Sequence, residues 1–341
     1  MKLPAVFERY RGEIDAELRA ALVDCRAPLY VMLRYHLGWV DEKGNALPRT
    51  AGKALRPTLC LLACQAVGDN YCRALPAAAA LELVHNFSLI HDDIQDDDRE
   101  RRHRPTVWSI WGKPQAINAG TAMRIIASLT MLRLAERGVP AHKQLRSVRL
   151  LDESCLRLIE GQYLDISYEK RLDIGVADYL AMIDLKTASL IACSLELGAM
   201  LGTDDEQIIR SLRAFGRNLG LAFQIRDDVL GIWGDQEKTG KPVGSDIRRK
   251  KKSLPVVYAL DKAEGAARAE LLRIYGPEAI DDQGLDSVLS VLASVQAKAR
   301  AQDLAEQYCA RAMEKLDELA LSSRARQSLD EVAYFLTRRE F

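Results

Sequence analysis

Between Ser88 and Arg104 the chain reads SLIHDDIQDDDRERRHR. Asp92, Asp93, Asp96, Asp97 and Asp98 crowd together after an apolar run, and Arg99, Arg101, Arg102 and Arg104 follow at once. Like charges at helical neighbour spacing repel, so this block costs stability unless something neutralises it. Asp92 and Asp96 are spaced i,i+4 and share one helix face; Asp93 and Asp97 make a second such pair. Carboxylates at the end of a buried helix suit a hard cation such as magnesium, which takes oxygen ligands and keeps waters and phosphate oxygens in its shell. The negative end of the helix dipole adds attraction for a cation. A second acidic pair, Asp227 and Asp228 in FQIRDDVLGIWGD, also follows an apolar run, with Gly231 four residues after Asp227. Two acidic pairs that end two apolar helices suit opposite sides of one cavity mouth.

The basic residues are of types that hold phosphate. GKALRP supplies Lys53 and Arg56, RERRHRPT supplies Arg101 and Arg102, and KTGKPVGSDIRRKKKS supplies Lys238, Lys241 and Lys251. Arginine clamps phosphate with two parallel hydrogen bonds, whereas lysine acts as a point charge. Carboxylates alone would suit calcium storage. Carboxylates, basic loops and a deep apolar bundle together point to a diphosphate ester with a hydrocarbon tail.

The elements that must position these groups are helices. ALPAAAALELVHNFSLIHDD is apolar on most sides and therefore reads as a buried helix over 74–98. Helical patterns recur near 5–38, 55–67, 114–137, 143–168, 176–202, 205–235, 251–263, 284–317 and 324–338, while strand alternation is nearly absent. With no linker, low-complexity block or solenoid repeat, the 341 residues read as one all-α domain, a large helical bundle around a central apolar cavity. The 48 basic and 48 acidic residues balance, which leaves no global attraction for nucleic acid or an anionic membrane. Seven scattered cysteines without a ligand pattern read as reduced core residues. The N-terminus lacks a signal-peptide core and no run reaches the length of a membrane span, so the expectation is a soluble cytoplasmic protein.

Taken in order, GK-x-x-RP, H-x-x-SLIHDD-x-x-D, RR-x-x-PT, KT, GQ, FQI-x-DD and GK-x-x-G-x-D resemble the trans-isoprenyl diphosphate synthase (polyprenyl synthetase) family over residues 52–255. The resemblance implies an all-α fold, usually homodimeric, and head-to-tail condensation of isopentenyl diphosphate onto an allylic diphosphate. It implies Mg2+, about three ions per active site with diphosphate bound. Asp92, Asp96 and Asp227 would hold the metal, with Asp93 and Asp228 as close support. Arg101, Lys186, Lys241 and Lys251 would contact the allylic diphosphate; Lys53, Arg56, His85 and Arg102 would bind isopentenyl diphosphate. Thr187 and Gln224 would stand near the reacting carbons. Three positions depart from the family pattern: Ala54 where a basic residue is usual, Gly231 for the last Asp of the second acidic motif, and Thr121 where Asp is common.

A growing hydrocarbon tail stops at a bulky side chain. Ser88, Phe87 and Val84 precede Asp92 by four, five and eight residues, and Phe87 lies about 7–8 Å down the helix axis from Asp92. An aromatic there, with no two-residue insertion in the acidic motif, resembles short-chain synthases: geranylgeranyl diphosphate (C20) first, farnesyl diphosphate (C15) a close second. Two rivals are a terpene cyclase, which lacks a need for Lys53, Arg56 and His85, and a non-catalytic subunit that binds prenyl diphosphates for a partner synthase. Glu82 and His85 also spell ExxH, a di-iron bundle signature, but no second ExxH accompanies it.

Overall fold

The computed structural model describes residues 4–23, 27–48, 52, 54–68, 70–235, 242–276 and 279–338. In chain order its helices are α1 (Ala5–Arg9), α2 (Arg11–Ala21), α3 (Leu29–His36), α4 (Leu55–Val67), α5 (Leu75–Gln95), α6 (Val107–Trp111), α7 (Lys113–Leu132), α8 (Ala141–Tyr168), α9 (Val176–Ile183), α10 (Ser189–Gly202), α11 (Glu206–Trp233), α12 (Ser245–Arg248), α13 (Leu254–Lys262), α14 (Gly265–Ile274), α15 (Asp282–Ser294), α16 (Ala297–Asp317) and α17 (Ser323–Arg338). The all-α expectation holds. Among the described residues, two-residue strands β1 (Glu100–Arg101) and β2 (Arg104–Pro105) pair antiparallel between α5 and α6, and Val40 and Ala46 form an isolated bridge.

The chain divides into two compact units. The first comprises Ala5–Glu153 and Ser194–Ile209. Its axis is α5, whose residues from Leu75 to Val84 are all buried. That segment carries Ala at four successive positions and Pro at the start of the helix, where a missing N–H costs nothing. Helices α2, α4 and α7 pack around it. The second unit comprises Ser154–Cys193, Arg210–Phe341 and Met1–Pro4. One of its apolar clusters gathers Tyr179, Ile183, Ile225, Val229 and Val257, and another gathers Ile232, Ile247, Val256, Leu260 and Val288.

Four helix expectations need correction. The run over 5–38 is broken into α1, α2 and α3. The run over 74–98 stops at Gln95, because Asp96 caps α5 and Asp97 turns left-handed at φ 51°. The run over 176–202 is interrupted by a π-helical segment, Asp184–Ala188. The run over 284–317 breaks at Gln296, φ 55°.

Candidate active site

In the first unit the acidic block ends α5 and the arginines form the hairpin that follows it. Asp92 and Asp96 remain one turn apart, since the Asp96 amide donates to the Asp92 carbonyl at 2.8 Å. Asp97 has left the helix, so the expected Asp93–Asp97 face does not exist; Asp97 accepts instead from Lys113 at 2.5 Å. The chain then reverses through Arg102 and His103, both at positive φ (54° and 59°). A two-residue turn with both central residues left-handed matches the twist of a hairpin, but it favours Asn-Gly. Arg102 and His103 occupy it at a steric cost, and such strain is characteristic of functional loops. Thr106 and Trp108 anchor the return, each donating to the Asp98 carbonyl at 2.8 Å.

This hairpin returns Arg101 to the acidic end of α5. Arg101 Nε donates to Asp93 Oδ1 at 2.6 Å, and Asp93 is buried while its Oδ2 has no partner. Burial pushes the Asp93 carboxyl up to about 6 against the pull of Arg101. Asp92 is half-exposed and Asp96 exposed. Arg102 lies against the loop before α4, where a Cβ on Gly52 would meet its guanidinium nitrogens at 3.1 and 3.3 Å and where a φ of +100° favours glycine. Arg56, in the first turn of α4, has a buried Nε without a partner, and burial lowers its guanidinium to about 10 despite the nearby Glu82. His85 on α5 is held well below its usual value by burial and by Arg56, Arg102 and Arg101, and is therefore neutral. Val84, Phe87 and Ser88 are buried on the same helix. The Phe87 ring meets the His91 ring edge-on at 5.6 Å, and Ser88 donates back to the His85 carbonyl at 2.8 Å. Lys53 and Lys241 lie outside the described residues. Ala54 is left-handed at φ 48°.

In the second unit the carboxylate Asp228 is the centre of a closed network. It is fully buried on α11 and accepts from Tyr179 Oη, from Gln224 Nε2 at 3.1 Å, from Lys251 Nζ at 3.0 Å and from the Leu254 amide at 2.9 Å. Burial raises its pKa and Lys251 opposes the rise. Burial alone would lower Lys251, but Asp228 and Asp246 outweigh it and hold the ammonium well above its usual value. Asp227, the neighbour of Asp228, is exposed. Thr187 Oγ1 donates to Gln224 Oε1 at 2.8 Å, and Lys186 Nζ donates to Asp165 Oδ2. Both Lys186 and Thr187 lie in the π-helical segment, a feature that frequently marks functional sites. A Cβ on Gly161 would stand 2.2 Å from the Lys186 amide, so the glycine of the GQ motif is what lets this segment approach α8.

Gly231 has a similar cause. A Cβ there would stand 2.2 Å from Asp246 Oδ2 and 2.5 Å from its Cγ. Asp246 is buried and meets Lys251 at 3.4 Å. The space a side chain at 231 would need is thus occupied by the Asp246 carboxylate of α12. Among the described residues, no three His, Cys, Asp or Glu side chains gather into a ready-made metal cluster.

The sequence reading missed Asp165 and Tyr179. Asp165 lies one helical turn past Gly161 in GQYLD and so had a local signal. Tyr179 is distant in sequence from any acidic motif and gave none.

The polyprenyl synthetase family model matches residues 38–292. The chain belongs to the polyprenyl synthetase family. It is 38% identical to the (2E,6E)-farnesyl diphosphate synthase of Mycobacterium bovis over 91% of this chain and 86% of that one. It is 43% identical to a geranylgeranyl diphosphate synthase of Mycobacterium tuberculosis, covering 80% of this chain and 76% of the relative. The polyprenyl synthetase of Streptomyces coelicolor A3(2) superimposes with a TM-score of 0.89 at 39% identity, covering 97% and 98% of the two chains. Family membership makes the chain a trans-isoprenyl diphosphate synthase, and its farnesyl and geranylgeranyl diphosphate synthase relatives support the short-chain class that its motif order implied.

Proposed function

We propose that the chain condenses isopentenyl diphosphate with allylic diphosphates in a Mg2+-dependent reaction, with geranylgeranyl diphosphate as the main product and farnesyl diphosphate as the alternative. The observation that carries this reading is the pairing of opposite devices within one sequence. One unit presents the buried, unpartnered Nε of Arg56, and each unit presents an accessible carboxylate beside a buried one.

Asp92, Asp96 and Asp227 would hold the metal, which when bound would withdraw charge from the leaving diphosphate. Arg101, Lys186, Lys241 and Lys251 would bind the allylic diphosphate and stabilise the charge that develops on it. Asp93 and Asp228 orient Arg101 and Lys251. Arg56, Arg102, neutral His85 and Lys53 would hold isopentenyl diphosphate. The hydrogen-bond chain from Thr187 through Gln224 to Asp228 runs donor to acceptor toward a carboxylate. It leaves the Thr187 oxygen electron-rich, able to stabilise an allylic cation without attacking it. The isopentenyl alkene then forms the new carbon–carbon bond, and the proton lost from the adduct goes to the released diphosphate. Val84, Phe87 and Ser88 would set product length from the floor of the substrate cavity.

The homodimer is part of the same proposal and is supported by exposed apolar stripes. Ile125, Leu129 and Leu132 are exposed on α7, and Leu156, Ile159, Tyr163 and Ile166 on α8. Their three- and four-residue spacing is that of a helix face made for another helix. No helix of the described residues is long and apolar enough to cross a membrane.

The test is product sizing. Purified protein receives Mg2+, labelled isopentenyl diphosphate and C5, C10 or C15 allylic starters, and the dephosphorylated alcohols are sized. A C20 alcohol is expected, and Phe87→Ala should lengthen it. A cyclic hydrocarbon made from the allylic starter alone would move the chain to the cyclases. No consumption would favour the non-catalytic subunit.

A further inference from the structure

The π-helical segment Asp184–Ala188 is gripped from two sides by the same device. On α8, Gly161 admits the backbone of Lys186, and Asp165, one turn later, takes the Lys186 ammonium. On α11, a Cβ on Gly220 would stand 2.6 Å from the Ala188 Cα and 2.9 Å from its Cβ, so it is the bare backbone of α11 that admits Ala188. Gln224, again one turn later, accepts from Thr187 Oγ1 at 2.8 Å. Residues four apart share a helix face, so each helix presents a glycine and then the polar group that takes the neighbouring side chain. All of these residues belong to the second unit.

Helix α11 also holds the start of the segment. Arg217 forks onto Asp184, with Nε donating to Oδ1 at 2.6 Å and Nη2 donating to Oδ2 at 3.0 Å. One face of α11, through Arg217, Gly220 and Gln224, thus meets Asp184, Ala188 and Thr187. A π-helical turn is rare inside a helix, so contacts from outside have to hold it. The two α11 contacts differ in stiffness. Arg217 is exposed, and ion pairs at the surface contribute little. The Gly220 contact is backbone against backbone, and neither side can turn away. Carbon atoms pack at about 3.5–4.0 Å, so a Cβ at 220 would push Ala188 off α11 by about 1 Å. Thr187 precedes Ala188 and would move with it. A hydrogen bond lengthened by that much is lost.

We propose that Gly220 and, more weakly, Arg217 are positioning residues for Thr187: through them α11 fixes the π-helical segment, sets the Thr187–Gln224 hydrogen bond and aims the Thr187 oxygen; this rests on the reading of Thr187 as a group beside the reacting carbons.

The test is a double-mutant cycle between Gly220→Ala and Thr187→Val, read as kcat, KM for isopentenyl diphosphate and thermal melting. Gly220→Ala should lower kcat about 30- to 100-fold, the scale of a misplacement of about 1 Å, while KM for isopentenyl diphosphate changes less than about twofold. With Thr187→Val no hydroxyl is left to aim, and the same substitution should then lower kcat less than about threefold. A merely structural defect acts alike with and without the hydroxyl. Unchanged kcat in Gly220→Ala, or an equal fractional loss in both backgrounds, would therefore overturn the proposal. If Gly220→Ala does not fold, Arg217→Gln at the surface takes its place in the cycle. A loss of about threefold that vanishes with Thr187→Val supports the proposal, and no loss or an additive one overturns it. If the wild-type protein consumes no isopentenyl diphosphate, the functional reading fails separately. Amide hydrogen exchange over the π-helical segment then decides the placement alone: faster exchange in Gly220→Ala supports it, and unchanged exchange refutes it.

Discussion

The two acidic pairs have the same plan and opposite degrees of completion. In each, one aspartate is accessible and its neighbour is buried. Asp93 is held by a single arginine and keeps an unpartnered oxygen, and the guanidinium of Arg56 nearby is buried with an unpartnered nitrogen. Asp228 is held by Tyr179, Gln224, Lys251 and the Leu254 amide. A satisfied buried network rigidifies its surroundings, whereas an unsatisfied one stores a cost that a bound ligand removes. The first region is thus shaped around an anion it must recruit, and the second is a finished scaffold that fixes Thr187, Gln224 and Lys251.

The largest expected effect treats the accessible members as equivalent. Asp92→Ala and Asp227→Ala should each lower kcat about a thousandfold or more, because charge on the leaving group loses its counter-ion. Loss in only one variant would break the symmetry of the two pairs. The buried members should separate the regions instead. Asp228→Ala should lower unfolding free energy by about 3–5 kcal/mol, since it leaves a buried ammonium and several donors unpaired. Asp93→Ala should cost about 1–2 kcal/mol, because one hydrogen bond is lost and Arg101 can turn to water. Urea titrations compare them, and equal losses would contradict the distinction.

Gly231→Asp sharpens the account of the second region. Restoring the family residue should cost about 1–3 kcal/mol by overpacking against Asp246, and the double variant Gly231→Asp/Asp246→Gly should recover part of it. A stabilised single variant would show that Asp246 does not need the space. The smallest effect belongs to the first region, where Ala54→Arg should lower KM for isopentenyl diphosphate about two- to threefold, as one more exposed cation near the anion.

How far the sequence revealed this site follows from the range of the interactions involved. Asp92, Asp96, Asp227 and the arginines are local: charge type and spacing on one helix or hairpin betray them. The end of α5 was misplaced by a turn because the left-handed geometry at Asp97, Arg102 and His103 is carried by non-glycine residues that give no turn signal. The π-helical segment was invisible for a related reason. Its register shift at Lys186 depends on the missing Cβ of Gly161, more than twenty residues earlier. Gly231 read as a departure in the sequence, and only the position of Asp246 shows that a side chain there would find its space occupied. Tyr179 acts entirely through a tertiary contact, its hydroxyl donating to Asp228, so no spacing rule could find it.

The most direct test of the central claim is consumption of labelled isopentenyl diphosphate by the purified chain, with an allylic starter, in excess Mg2+ and again after chelation. The account predicts turnover by the chain alone that disappears on chelation and returns with Mg2+. Turnover that persists without divalent metal, or none under any condition, would contradict it.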